Sequence, residues 1–378
     1  MKFIHLSDLH LGKRINDFSM LEDQEYVLTK IINIIDKEAP DGVIIAGDIY
    51  DKSIPSADAV QLFDEFLVRL SKRNLKVFVL SGNHDSPERV AFGSRLMNSS
   101  GVYMSPVYDG SIVPLGLSDD YGIVNIFMLP FIKPSHVKRY YPDDEISTYS
   151  DAIRVAIHNS EIDPAARNIL ITHQFVTGAS RCDSEDITVG GADNVDSSVF
   201  AAFDYVALGH IHSPQNVGVE TIRYCGTPLK YSFSEANQSK SITVVELKEK
   251  GQIVIRTVPL VPKRDMVEIK GNYMELTSRN YYKNMDTAAY MHITLTDEDD
   301  IPDAIGKLRS VYPNIMKLDY DNKRTRSNME INGANDAEHK LPIELFSEFY
   351  ESQNNQPLSV EQQTFLAGMI EKIWEEAQ

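Results

Sequence analysis

Val77-Phe78-Val79-Leu80-Ser81-Gly82-Asn83-His84-Asp85 is the stretch on which the reading of this chain turns. Its apolar run of β-branched and aromatic residues describes a buried strand, and Gly82 lets the backbone turn sharply where the strand stops. Three polar side chains follow at once. Asn83 can offer a neutral carbonyl oxygen to a cation, His84 can donate a proton or a hydrogen bond, and Asp85 can orient that imidazole from behind. Taken alone, the segment would be a polar turn after a strand. Its weight comes from four other strand-like runs in the chain that end in the same kind of residue.

Outward from this segment, strands and helices alternate. Lys2 to Ser7 and Gly42 to Ala46 read as strands, and Phe18 to Glu38 as a helix with Leu21, Leu28, Ile31, Ile32 and Ile35 on one stripe. Ser56 is placed to cap a second helix carrying Val60, Phe63, Phe66, Leu67 and Leu70, and Pro87 opens a third that runs to about Asn98. Shorter extended runs follow at Val102 to Pro106, Ile112 to Leu115 and Gly122 to Leu129, then a helix near Thr148 to Asn159. Asn168 to Thr172 and Tyr205 to Leu208 are two more buried strands, and Ser241 to Leu247 with Gln252 to Val258 form a hairpin. The fold class is therefore α/β, a two-sheet β-sandwich core flanked by helices.

Pro259, Pro262, Lys263 and Arg264 mark a boundary. Beyond them, alternating elements from Met266 to Tyr320 suffice for a small α+β module, and Asp321 to Asn335 reads as a polar linker. Pro342 to Tyr350 and Val360 to Glu376 read as two amphipathic helices. Their apolar residues, among them Leu341, Phe346, Phe349, Phe365, Met369 and Trp374, exceed what two isolated helices can hide, which suits a docking element for another protein.

At 378 residues with 42% hydrophobic content, the chain is long enough for a large domain and smaller companions. Cys182 and Cys225 match no metal spacing and suit a reducing, cytoplasmic compartment. Met1 leads straight into a strand, which leaves no room for a cleavable signal peptide, and no apolar run approaches the ~20 residues of a membrane span. The net charge of −18 argues against nucleic acid, whose phosphates reward cations. Bound metal that neutralises clustered carboxylates, or local basic groups such as Lys13 with Arg14 and Lys138 with Arg139, would have to offset it.

The chemistry lies at the strand ends. Asp8 and His10 follow the first strand, Asp48 the second, Asn83 and His84 the third, His173 another, and His210 and His212 the last. In open α/β sheets the carboxyl ends of the strands face the ligand crevice, so these side chains should converge on one rim. An Asp after Gly is usually a turn residue, and a lone His beside a strand is usually structural. Five strand ends that each supply carboxylate, imidazole or amide form a different pattern, whereas His5, His136, His158, His292 and His339 have no such placement. Oxygen and nitrogen ligands of this kind suit borderline divalent ions, manganese above iron, magnesium or zinc. Seven are too many for one ion and fit two that share a carboxylate, roughly 3.5–4 Å apart. The predicted reaction is phosphate-ester hydrolysis by metal-activated water, with His84 stabilising the phosphoryl group or protonating the leaving oxygen.

Asp8-Leu9-His10, Gly47-Asp48-Ile49-Tyr50-Asp51, Gly82-Asn83-His84-Asp85, Thr172-His173 and Gly209-His210-Ile211-His212 together resemble the five signature motifs of the calcineurin-like metallophosphoesterases. The longer runs His5 to Gly12, Ala46 to Asp51 and Gly226 to Glu235 resemble the DNA-break-repair nuclease subunits of that superfamily. The resemblance implies that Asp8, His10 and His212 hold one manganese ion, that Asn83, His173 and His210 hold the other, and that Asp48 bridges. It further implies that His84 is the catalytic histidine, supported by Asp85. The expected division is a nuclease domain at 1–262, a capping, DNA-placing domain at 263–322, a flexible linker at 323–340 and a docking element at 341–378. The expected partners are DNA, a coiled-coil ATPase and a second copy of the chain. The main competing reading is another phosphoesterase of the superfamily, acting on phosphoproteins or cyclic nucleotides. Lys52-Ser53 stands where a phosphoprotein phosphatase would carry Arg-Gly after Asp51. A docking scaffold with a relic metal site is disfavoured by the completeness of the ligand set.

Overall fold

The computed structural model describes residues 1–185, 194–325, 342–354 and 356–376. The chain divides into two compact units, Met1–Asp265 and Met266–Gln378. The first is built on two six-stranded sheets. In one, the parallel strands Lys2–Leu6, Gly42–Ala46, Lys76–Leu80 and Val102–Met104 stand side by side, and the hairpin Ser241–Leu247 with Ile253–Pro259 extends the Lys2 edge antiparallel. In the other, Gly122–Leu129, Arg167–His173, Tyr205–Gly209 and Val219–Tyr224 are parallel, with Leu115–Asp119 and Gln215–Val217 as antiparallel edges.

The inner faces pack together through Phe3, Ile44, Phe78 and Leu80 from one sheet and Ile126, Ile169, Ile171 and Ala207 from the other. Helices cover the outer faces, which is why Gly42–Ala46 and Tyr205–Gly209 are buried at every residue instead of alternating. Each side chain of the Phe78 class that is fully buried here contributes ~1.5–3 kcal/mol. Polar pairs also cross between the sheets, among them the His5 ring with the Tyr205 hydroxyl at 2.9 Å.

Several local differences from the sequence reading have physical causes. The helix expected from Phe18 begins at Leu21, because Arg14–Ile15 pairs with Phe18–Ser19 around Asn16 and Asp17, both in the left-handed region that such tight turns need. The helix expected over Pro87 to Asn98 breaks into Pro87–Val90 and Ser94–Met97, interrupted by left-handed Gly93. Leu115–Asp119, Gln215–Val217 and Val219–Tyr224 are strands that no run in the sequence marks clearly.

The second unit contains a three-stranded parallel sheet, Met266–Gly271, Tyr290–Leu295 and Ile315–Tyr320, with Leu276, Leu308 and Tyr312 completing its core. It also contains the helices Pro342–Asn354 and Val360–Glu376, joined by a Gln362 amide that donates to the Tyr350 hydroxyl at 3.0 Å. Most of the expected linker, with His339 and Leu341, lies outside the described residues. Among the described residues, no helix is long and apolar enough to cross a membrane.

Candidate metal centre

Parallel pairing brings the carboxyl ends of five strands to one rim, and the loops there are zipped to each other. Asp8 N–H donates to the Gly47 carbonyl, His10 N–H to that of Asp48 and Leu11 N–H to that of Ile49, all at 2.9–3.0 Å. The His210 N–H donates to the Asp8 carboxylate at 3.0 Å. These bonds hold Asp8, His10, Asp48 and His210 at φ 52°, 44°, 48° and 103°, a region L-residues avoid at ~1–3 kcal/mol each. The motif glycines are required by space. A Cβ on Gly82 would strike the Asp48 carboxylate, and one on Gly209 would strike the Ala46 carbonyl and the His173 ring.

All seven expected ligands meet at this rim, in two lobes. In the first, ligand atoms of Asp8, His10 and His212 lie within 4.8 Å of one another, with His10 Nε2 3.1 Å from His212 Nε2. In the second, Asn83 Oδ1 lies 3.0 Å from His173 Nε2 and 2.9 Å from His210 Nδ1. Asp48 Oδ2 faces both, 3.2 Å from His173 Nε2 and 3.7 Å from His10 Nε2.

The hydrogen bonds around these atoms set their chemistry. His173 Nδ1 sits 2.9 Å from the Ala46 carbonyl and donates to it, while Nε2 faces Asn83 Oδ1 and Asp48 Oδ2. Burial opposes the ring's charge, but Asp48 outweighs it and pushes the imidazole up to about 9, so positive charge is favoured where Nε2 meets two oxygens. On His212, the Ser184 hydroxyl stands 2.7 Å from Nδ1 and donates to the Glu235 carboxylate at 2.6 Å. Nδ1 is then the donor to Ser184, and Nε2 is left with a lone pair aimed at His10. Positive charge, whether ring protons or a bound ion, is favoured between these atoms, and the mixture of imidazole, carboxylate and amide donors fits divalent metal ions.

Electrostatics agree with that reading. Burial opposes the charge on Asp48, but the His173 ring beside it holds its carboxyl well below the usual range. Burial, reinforced by Asp48, pushes the Asp8 carboxyl up against the pull of the histidines. Burial drives His10 well down and His210 down to about 3, so both rings are neutral, as a metal ligand must be. His10 Nδ1 and His210 Nε2 are buried without a hydrogen-bond partner.

His84 borders the first lobe. Its ring meets that of His10 edge-on at 4.9 Å, its Nε2 is 4.0 Å from Asp48 Oδ2, and its Nδ1 faces the Asp51 carbonyl at 3.1 Å. The expectation that Asp85 orients this ring is corrected by the geometry. The Asp85 carboxylate accepts from the backbone N–H groups of Gly82, Ile49 and Tyr50 at 2.9–3.1 Å, and so ties the second and third motif loops together. Burial, with Asp48 adding, pushes that carboxyl up to about 6.

The sequence reading missed the shell that grips the candidate ligands. Gln24 donates to the His10 carbonyl at 2.8 Å, and the Tyr231 hydroxyl donates to that of Leu9 at 2.6 Å. Glu185 accepts the His212 N–H at 2.7 Å, and Lys240, paired with Glu235, donates to the His212 carbonyl at 2.8 Å. Tyr231 and Glu235 fall inside the Gly226 to Glu235 run, which was a signal, whereas nothing local marks Ser184, Glu185 or Gln24. Cys182 and Cys225 take no part. Both are free thiols, pushed up by burial to about 11 and about 12.

Residues 1–214 match the model of the calcineurin-like phosphoesterase family. Residues 262–354 match a second family model, described as the type 5 capsule protein repressor C-terminal domain. Over 368 residues, 95% of each chain, the protein is 37% identical to the SbcD component of the SbcCD nuclease of Staphylococcus epidermidis. Similar solved structures include a dimetal phosphatase from Danio rerio, 13% identical with a TM-score of 0.42, covering 68% of this chain and 95% of the other. Another comes from Thermus thermophilus, 12% identical with a TM-score of 0.35, covering 68% and 98%.

Proposed function

Because the chain belongs to the calcineurin-like phosphoesterases, and within them to the group of the SbcD nucleases, we propose that it is the nuclease subunit of an SbcCD-type, ATP-regulated DNA-repair complex. It hydrolyses DNA phosphodiesters as an exonuclease at double-strand ends and an endonuclease at hairpins. Asp8, His10 and His212 hold one divalent ion, Asn83, His173 and His210 hold the other, and Asp48 is shared. The ions are manganese in this reading, favoured by the mixed imidazole, carboxylate and amide donors. The observation that supports the proposal most is that Asp48 Oδ2 faces both lobes, 3.2 Å from His173 and 3.7 Å from His10.

Two divalent ions at such a site supply Lewis acidity to a phosphoryl oxygen and lower the pKa of water. The protein's own residues do the rest. Asn83, a neutral ligand, limits the negative charge that a phosphodiester meets. His84, with Nδ1 turned to the Asp51 carbonyl, presents Nε2 as the group that donates a hydrogen bond to the phosphoryl oxygen or a proton to the leaving oxygen. Asp85 acts as a positioning residue, through the loops it ties.

The exposed Phe346, Phe349, Phe365 and Met369 of the two C-terminal helices suit docking on an SbcC-type coiled-coil ATPase. Residues 263–322 would place DNA, and two copies would pair within a heterotetramer. The free thiols accord with a cytoplasmic location. The test is cleavage of end-labelled duplex and hairpin DNA by the purified chain with its ATPase, with manganese and with chelator. Loss of label only with manganese is expected. Hydrolysis of phosphoprotein or cyclic nucleotide with intact DNA would overturn the nuclease reading in favour of another phosphoesterase.

A further inference from the structure

A half-enclosed cavity of about 430 Å³ lies beside the metal centre, between the segment that follows His84 and the one that follows the Gly122–Leu129 strand. That size is within the ~300–1,000 Å³ of small-molecule sites. Its walls include Tyr108, Phe131, His136, Arg139 and Tyr140, with the carboxylate-bearing Glu88 among them. Phe131 connects it to the centre. Its N–H donates to the Ser81 carbonyl at 3.2 Å, just before Gly82-Asn83-His84, and its ring meets the His173 ring edge-on at 6.5 Å.

Tyr140 is 40% exposed, yet it is braced. Tyr108 meets it edge-on at 5.8 Å, and the Gly110 backbone lies so close that a Cβ there would sit 2.9 Å from the Tyr140 ring. An aromatic held in place with one side open is a stacking platform, and every nucleobase has a face that suits it. The Arg139 guanidinium lies over the same ring, 5.8 Å from its centre. Among the described residues, Lys133, Lys138 and Arg139 have no carboxylate within ion-pair distance. In a chain of net charge −18 this is a local cationic edge next to an aromatic wall. A bare phosphate would need only the cations, whereas a nucleotide uses both.

We propose that this cavity is a nucleoside subsite. It seats the base of the nucleotide adjoining the scissile phosphodiester against Tyr140 and Phe131, while Arg139 and His136 meet the neighbouring phosphate. Glu88 can accept a hydrogen bond from an exocyclic amino group. The proposal deepens the nuclease reading and rests on it.

The test is an abasic walk. A single-stranded oligonucleotide is prepared with one abasic residue at each position in turn, and manganese-dependent cleavage by the full-length protein is compared with that of the intact strand. At one position beside the cut, the abasic residue should lower kcat/KM about tenfold, on the order of one stacked base. Tyr140→Ala should erase that difference and Tyr140→Phe should keep it. Arg139→Gln should weaken binding of intact and abasic strands alike and reduce the salt slope by about one. Both altered residues are exposed, and circular dichroism is the check that each variant folds. A wild type indifferent to the abasic residue at every position, or a Tyr140→Ala variant that still discriminates, overturns the subsite. No cleavage by the wild type of the intact strand, nor of hairpin DNA in company with its ATPase, would instead overturn the nuclease reading.

Discussion

Glu235→Gln tests whether the network behind His212 controls that proposed ligand. Glu235 is 0% exposed and Lys240 4% exposed. The Lys240 ammonium lies 2.5 Å from Glu235 Oε2 and 2.8 Å from both the His212 carbonyl and Gln238 Oε1. Glutamine keeps the volume but removes the anion, so the buried ammonium keeps only neutral acceptors. Removing one partner of a buried pair costs ~3–5 kcal/mol. For a unit of this size, each kcal/mol lowers Tm by ~2–4 °C, which gives a drop of ~6–20 °C. Lys240→Met should cost a similar amount, and the double variant should be less destabilised than the sum by ~2 kcal/mol or more, because neither charge is then stranded. The second readout concerns the metal. With a neutral amide in place of the carboxylate, Ser184 is free to donate to His212 Nδ1, which moves the ring proton to Nε2, the atom that faces His10. Affinity for manganese, measured by calorimetry well below Tm, should fall ~10- to 100-fold. A Glu235→Gln protein that melts within ~2 °C of wild type, less than one kcal/mol would shift it, and binds manganese as tightly would refute this account.

Other outcomes follow from the same geometry. His84→Ala should lower cleavage by ~10²–10⁴-fold with metal content near wild type by elemental analysis, since its ring borders the ligands without being one of the seven; near-normal cleavage would contradict its role. His5, buried with Arg223 adding to the effect, is held down to about 3 from 6.5. Its unfolded form takes up a proton below pH 6.5 and its folded form does not, so the stability it contributes is complete above that pH and is lost as pH falls toward 3. The slope is ~1.4 kcal/mol per pH unit, and Tm against pH should be flatter between about pH 6 and 4 in His5→Gln. Deleting the chain from position 337 onward should leave metal content intact and end co-purification with the ATPase; an unchanged complex would remove the docking role.

The sheets and the convergence of the candidate ligands were legible because both obey short-range rules. A buried parallel strand is an unbroken apolar run, and the residue after it lands on the rim, so Asp8, Asp48, Asn83, His173 and His210 could be placed without knowing how the two sheets stack. Strands with weak patterns escaped. Leu115–Asp119 contains Gly116 and Asp119 and is half-exposed at an edge, and Gln215–Val217 is only three residues long. Asp85 was misplaced for a different reason. Adjacency to His84 suggested a side-chain pair, but three backbone N–H groups from two loops reach the carboxylate first, and the His84 ring turns to the Asp51 carbonyl.

The same contrast explains why the supporting shell was invisible. A ligand's identity is fixed by its own chemistry, whereas its orientation is fixed by partners far away in the chain. Ser184 is 28 residues from His212, and the Gln24 amide donates to the Tyr231 hydroxyl across 207 residues. Such partners carry no periodicity and no motif spacing, yet they decide which imidazole nitrogen keeps its lone pair. His212 has the same ring wherever it sits in a sequence. In the proposed centre it would serve as a ligand through Nε2 because Ser184 donates its hydrogen bond to Glu235 and accepts one from Nδ1. The carboxylate behind a serine, two hydrogen bonds from the imidazole it orients, is thus as much a part of the proposed centre's chemistry as the residues that face it.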